Sequence, residues 1–103
     1  MADLSLFDLT GKKALVTGGA VGIGRGYATA LAMAGADVAI VDIDLETAEK
    51  TSAAIRATGR DSLAIRCDVT DKEQVQAMVA QVVERFGRLD IGVNNAGIAI
   101  LGG

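Results

Sequence analysis

One stretch, Thr17-Gly18-Gly19-Ala20-Val21-Gly22-Ile23-Gly24, restricts the possible folds of this chain more than any other. It follows an apolar run, Ala14-Leu15-Val16, and precedes an apolar, alanine-rich pattern from Tyr27 to Ala34. Strand, glycine-rich turn and helix in that order place an anion at a helix N-terminus, where free backbone N–H groups and the helix dipole favour negative charge. A side chain in the turn would hold a pyrophosphate off the backbone, hence glycine at Gly18, Gly22 and Gly24. Three residues separate Gly18 from Gly22 and one separates Gly22 from Gly24, which departs from the G-x-G-x-x-G form. The strand before and the helix after turn this spacing into a nucleotide-binding signal, where an isolated glycine run would read as a tight turn.

The remainder of the chain continues the same alternation. Lys12 to Val16 reads as the first strand, and a helix runs from about Gly24 to Ala34 with Gly35 as its stop. Val38 to Val41 is a continuous apolar run of the kind buried on both faces of a sheet. A second helix spans about Leu45 to Thr58, with Leu45, Ala48, Ser52 and Ile55 on one face and Gly59 at its end. Leu63 to Ile65 is a third strand. Thr70 and Glu73 form a capping box, with Thr70 as N-cap of a third helix. Val75, Met78, Val79, Val82, Val83 and Phe86 make that helix's apolar stripe before Gly87 stops it, and Leu89 to Val93 is a fourth strand. The order β-α-β-α-β-α-β predicts an α/β fold, a Rossmann-type doubly wound parallel sheet with strand order 3-2-1-4. The 103 residues contain no proline and no low-complexity linker, so they read as one domain.

Composition removes other function classes. A net charge of −3 gives no electrostatic footprint for nucleic acid, and Phe7, Tyr27 and Phe86 are too scattered to stack bases. Cys67 is the one cysteine and there is no histidine, so neither a disulfide framework nor a zinc site is expected and no metal is assigned. The expected setting is reducing and cytoplasmic. Met1-Ala2-Asp3 does not open a signal peptide, and Gly35 and Asp37 interrupt the most apolar stretch, so no membrane span is expected.

All candidate site residues fall where predicted strands end, the edge at which open α/β sheets bind ligands. Asp42 ends the second strand eighteen residues after Gly24. A carboxylate there accepts from adenosine ribose hydroxyls and repels a 2′-phosphate, which favours NAD over NADP. Its alternative, a helix-leading Asp, is better filled by Asp44. Ile43 lies beside it. No basic residue sits in the turn or directly after Asp42 to receive a 2′-phosphate, and Arg25 reads as a solvated side chain. Asp68 can accept from an adenine amino group while Val69 packs on the ring; the competing reading is a strand-end turn leading into the capping box. Cys67 reads as core. At the fourth strand's end, Asn94 and Asn95 can bind neighbouring backbone, and small Ala96 and Gly97 leave room for a flat ligand, unless the segment is a plain turn.

Taken in order, Thr17 to Gly24, Asp42, Cys67-Asp68-Val69 and Asn94-Asn95-Ala96-Gly97 resemble the short-chain dehydrogenase/reductase family, over essentially the whole chain from Leu9 onward. The resemblance implies a nicotinamide dinucleotide as cofactor. Gly22-Ile23-Gly24 matches the family's pyrophosphate turn, Asp42 its NAD-preferring pattern and Asn94 the Asn bordering the cofactor's ribose. It also implies a small-molecule alcohol or ketone substrate, hydride transfer and, for the full-length protein, a homo-oligomer. A methyltransferase-like nucleotide user would share an acidic residue at the second strand's end, but has no reason to keep Asn94 to Gly97.

The family's catalysis uses an Asn on the next helix, a Ser after a fifth strand and a Tyr-x-x-x-Lys on the helix after that. The Tyr is the acid/base for the alcohol or carbonyl, the Lys lowers its pKa and binds the nicotinamide ribose, and the Ser orients substrate. Tyr27 is the one tyrosine here, with Leu31 rather than Lys four residues on, so no catalytic residue is assigned in this chain. The expectation is a truncated dinucleotide-binding domain, residues 1–103, whose fourth strand is an exposed, sticky apolar edge. The alternative is a half-Rossmann module that binds a nucleotide without turnover.

Overall fold

The computed structural model describes residues 8–94 and the backbone of residues 97–100. Strands β1 (Lys13–Thr17), β2 (Asp37–Asp42), β3 (Ser62–Arg66) and β4 (Ile91–Asn94) alternate with helices α1 (Gly22–Met33), α2 (Leu45–Arg56) and α3 (Lys72–Phe86), and β5 (Gly97–Ile100) follows. The four strands pair in parallel in the order β3-β2-β1-β4, as the sequence predicts. Val38 to Val41 has no exposed surface, because β2 lies inside the sheet with helices on both faces.

Period-two alternation divides the core. Ala14, Val16, Val38, Ile40, Ile91 and Val93 face Ala28 and Ala32 of α1 and Ala48 and Ile55 of α2. Leu15, Ala39, Val41, Ile65 and Cys67 face the opposite way, against Met78 and Val82 of α3. The alanines of α1 let it approach the sheet closely, and each fully buried Val or Ile contributes about 1.5–3 kcal/mol.

Three expectations are corrected. The fourth strand is not a bare edge: β5 runs antiparallel along it, pairing Asn94 with Gly97 and Ile91 with Ile100. Thr70 is not the N-cap of α3. That place belongs to Asp71, whose side chain accepts from the Glu73 and Gln74 N–H groups. The reason is local: Thr70 gives both its N–H and its hydroxyl to Asp68 Oδ1, at 2.9 and 2.7 Å. On α2, Leu45 is exposed and Thr51 is buried instead. Elsewhere element limits differ from the predicted ones by a few residues, as helix and strand ends do.

The edge where the strands begin is tied by charge. Lys13 opens β1; its Nζ pairs with Asp37 at the start of β2, and its N–H donates to Asp90 Oδ2 just before β4. Arg88 Nε also donates to Asp90, and Arg85 makes two bonds to Asp61, just before β3. The Lys13 N–H and the Arg88 guanidinium hold the Asp90 carboxyl below the usual carboxylate range, and the Arg85 bond does the same for Asp61. Among the described residues, no helix is long and apolar enough to cross a membrane.

Candidate functional site

The opposite edge, where the parallel strands end, opens into a cleft of about 820 Å³. Thr17 and Gly18 line it from the end of β1, Asp42 and Ile43 from β2, Cys67, Asp68 and Val69 from β3, and Asn94 from β4. Val75 and Met78 of α3 close one side. Six of the residues expected from sequence, Gly18, Asp42, Ile43, Asp68, Val69 and Asn94, therefore converge on one space. Gly22, Ile23 and Gly24 do not line it; they form the start of α1. Gly97 opens β5, and Asn95 and Ala96 lie outside the described residues.

The turn between β1 and α1 is built by backbone contact. Gly18 N–H donates to the Val41 carbonyl at 2.8 Å, which fixes the turn to β2. Gly24 packs directly on that turn: a Cβ there would collide with the Gly18 carbonyl group, its carbon only 2.7 Å away. Gly24 thus serves close packing of helix on turn, where the sequence suggested room for a pyrophosphate. Gly22 differs. It holds φ at +60° with open space where a Cβ would point, so backbone conformation decides the residue there.

The three helix N-termini are not alike. Asp44 caps α2 by accepting from Thr47 N–H, as the sequence suggests, and Asp71 caps α3. Val21 precedes α1 in extended conformation with no side-chain cap, and the first turn of α1 carries no acidic residue. The N–H groups and dipole of that terminus lie beside Gly18, and among the described residues no acidic side chain caps them. Arg25 is solvent-exposed on the same turn, and Tyr27 sits mid-helix, away from the cleft.

The carboxylates are held by backbone. Asp42 Oδ2 accepts from Ala20 N–H at 3.2 Å and Oδ1 from Asp44 N–H at 3.1 Å, so Asp42 joins the end of β2 to the glycine turn. A carboxylate has about four acceptor positions, which leaves capacity for a ligand. Thr70, through its hydroxyl and then its N–H, holds the Asp68 carboxyl below the usual range and keeps it ionised. Gln74 Oε1 accepts from Asp68 N–H, linking the end of β3 to the first turn of α3. Cys67 is buried, and desolvation followed by the nearby Asp68 and Asp71 charges pushes its thiol up. Ile43 and Val69, each 54% exposed, give the cleft an apolar lining beside its two carboxylates. Thr17 Oγ1–H donates to the Val93 carbonyl at 3.4 Å and bridges the ends of β1 and β4.

One residue escaped the sequence reading. Thr51, buried on α2, donates its hydroxyl to the Ala20 carbonyl at 2.8 Å. The spacing Ala48-Thr51-Ser52-Ile55 carries the helical period and could have revealed its inward position.

The family model described as short chain dehydrogenase matches residues 12–103. The chain belongs to the short-chain dehydrogenase/reductase family. It is similar to 15-hydroxyprostaglandin dehydrogenase [NAD(+)] of Bos taurus, with 50% identity over 92 residues, covering 87% of this chain and 35% of that protein. A sorbitol dehydrogenase of Cereibacter sphaeroides is 49% identical over 90 residues, covering 87% and 34%. Among solved structures, a hydroxysteroid dehydrogenase from Escherichia coli superposes with a TM-score of 0.84 at 34% identity, covering 89% of this chain and 39% of that one. A short-chain type dehydrogenase/reductase from Mycobacterium marinum gives 0.82 at 42%, covering 89% and 37%. The chain spans roughly a third of the length of these curated relatives.

Proposed function

We propose that the cleft binds NAD(H), as the cofactor-holding part of an oxidoreductase that moves a hydride between NAD(H) and a secondary alcohol or ketone. The observation that carries this reading is Asp42, a carboxylate at the end of β2 that lines the cleft while its own backbone partners hold it against the glycine turn. The residues present suit such a group: an uncapped helix N-terminus for the pyrophosphate, open space at Gly22, and apolar walls beside two carboxylates. Several relatives at about half identity are NAD(+) enzymes by name.

When bound, the nicotinamide supplies the hydride acceptor or donor. The chain's own residues bind and orient. Asp42 accepts from the adenosine ribose hydroxyls and its charge rejects a 2′-phosphate. Asp68 accepts from the adenine amino group, with Ile43 and Val69 against the ring. Gly18, Gly22, Ile23 and Gly24 present backbone to the pyrophosphate. Asn94, at the end of β4, borders the cofactor's ribose. No residue of the cleft is assigned the acid–base step.

Calorimetric titration of NAD and NADP tests this. Because Asp42 also accepts from the buried turn, Asp42→Asn, which keeps an acceptor oxygen and loses the charge, is the informative variant beside Asp42→Ala. The expected result is NAD weakened about tenfold, about 1.4 kcal/mol, with NADP gaining relative to it. An unchanged preference in both variants would remove Asp42 from the ribose site.

A further inference from the structure

Ala20 sits in the middle of the glycine turn and is only 2% exposed, so its backbone N–H and carbonyl both need partners within the protein. The two come from different elements. Asp42, at the end of β2, accepts from the N–H, and Thr51, in the middle of α2, donates to the carbonyl. A threonine inside a helix usually turns its hydroxyl back to the carbonyl four residues earlier. Thr29 of α1 does this, donating to the Arg25 carbonyl at 2.9 Å. Thr51 instead reaches across to a residue 31 positions earlier in the chain.

We propose that Thr51 is a positioning residue for the phosphate-binding turn: by holding the Ala20 carbonyl toward α2, its hydroxyl fixes the direction of the backbone N–H groups that follow and so sets the affinity for the cofactor's diphosphate. The geometry is that of a planar trans peptide, in which N–H and C=O point to opposite sides. None of the described peptide bonds is cis. An Ala20 oxygen drawn toward α2 therefore turns the Val21 N–H away from α2. Val21 continues in extended conformation, at φ −141° and ψ 168°, and α1 starts one residue later. Packing alone does not call for the hydroxyl, since valine has nearly the same shape; the Ala20 carbonyl does. With Asp42 on one side and Thr51 on the other, the peptides before and after Ala20 cannot rotate, and the turn is pre-organised for a ligand.

The inference rests on the reading of the cleft as a dinucleotide site, and the test separates the two. ADP and adenosine are titrated by NMR against wild-type protein, Thr51→Val and Thr51→Ser, with thermal melts alongside. Thr51→Val should weaken ADP about threefold to tenfold, the value of one lost hydrogen bond, while adenosine, which has no phosphate, stays within about twofold. Thr51→Ser restores the donor and should restore ADP. If Thr51→Val does not fold, Thr51→Cys, with a weak donor in the same place, is read in the same way. Equal changes for ADP and adenosine, or no change in either, would overturn the positioning role and leave the nucleotide reading intact. A folded wild-type protein that binds neither ADP nor NAD would overturn the nucleotide reading, and this inference with it.

Discussion

At the edge where the strands begin, Asp37, Asp61 and Asp90 each meet a cation, Lys13, Arg85 or Arg88, and the Lys13–Asp37 pair, with the bonds from Asp61 N–H to Asp37 and from Lys13 N–H to Asp90, joins the starts of all four parallel strands. At the edge where the strands end, Asp42 and Asp68 accept from backbone N–H groups and a threonine hydroxyl, and among the described residues no cation lies within ion-pair distance of either. The residue types match and their employment differs. Charges that neutralise one another hold strands in register. Charges held by neutral donors keep their field for something that enters the cleft. Among the described residues, paired carboxylates thus gather at one edge and carboxylates without a cation partner at the other.

Substitutions can break that division or sharpen it. The largest effect should come from Gly24→Val, which breaks it by placing a structural failure at the binding edge. Its side chain meets Gly18 backbone that cannot retreat, and a loss of about 3 kcal/mol or more is expected in denaturant unfolding, with NAD binding lost as well. Asp90→Ala comes next. It removes a buried carboxylate that accepts from the part-buried Lys13 N–H and partners Arg88, and should cost about 2–3 kcal/mol while leaving the affinity of the folded fraction for NAD unchanged.

Acid sharpens the same contrast. Asp90 and Asp61 have folded pKa values depressed below 3.8, so their contribution is present above that pH and is lost as pH falls through the depressed values. Wild-type stability should decline below about pH 4, and Asp90→Asn should show a shallower decline in acid titration followed by circular dichroism. The smallest effect belongs to Arg85→Ala. Arg85 and Asp61 are both partly solvent-exposed, so the change in melting temperature should be smaller than for Asp90→Ala and should vanish at about 1 M salt, where the screening length is about 3 Å.

What could be read beforehand follows the range of the forces involved. The parallel order of four strands was legible because hydrophobic periodicity and glycine stops are local, and the position of Asp42 at the cleft edge because it ends the second of those strands. The N-cap of α3 was misread by one residue because two capping patterns overlap, Thr70 with Glu73 and Asp71 with Gln74. Only the Asp68 side chain, by engaging Thr70, chooses between them. Strand β5 was not legible, because a short apolar run such as Ile98-Ala99-Ile100 has no period of its own and its place is fixed by pairing with β4. Thr51 and most of the starting-edge contacts were hidden for a related reason: Thr51 with Ala20, Lys13 with Asp37 and with Asp90, and Arg85 with Asp61 join residues from 24 to 77 positions apart, whereas Arg88 and Asp90 are near neighbours in sequence.

The central position of β1 also has a consequence for the order of assembly. Among the described strands it is synthesised first, yet one of its flanks pairs with β2 and the other with β4, whose Val93 lies opposite Val16. On the ribosome, the β4-facing flank of β1 stays open until nearly the whole described segment has emerged. Non-local pairing of this kind closes late. The strand that leads into the glycine turn is therefore among the last of the described strands to be completed.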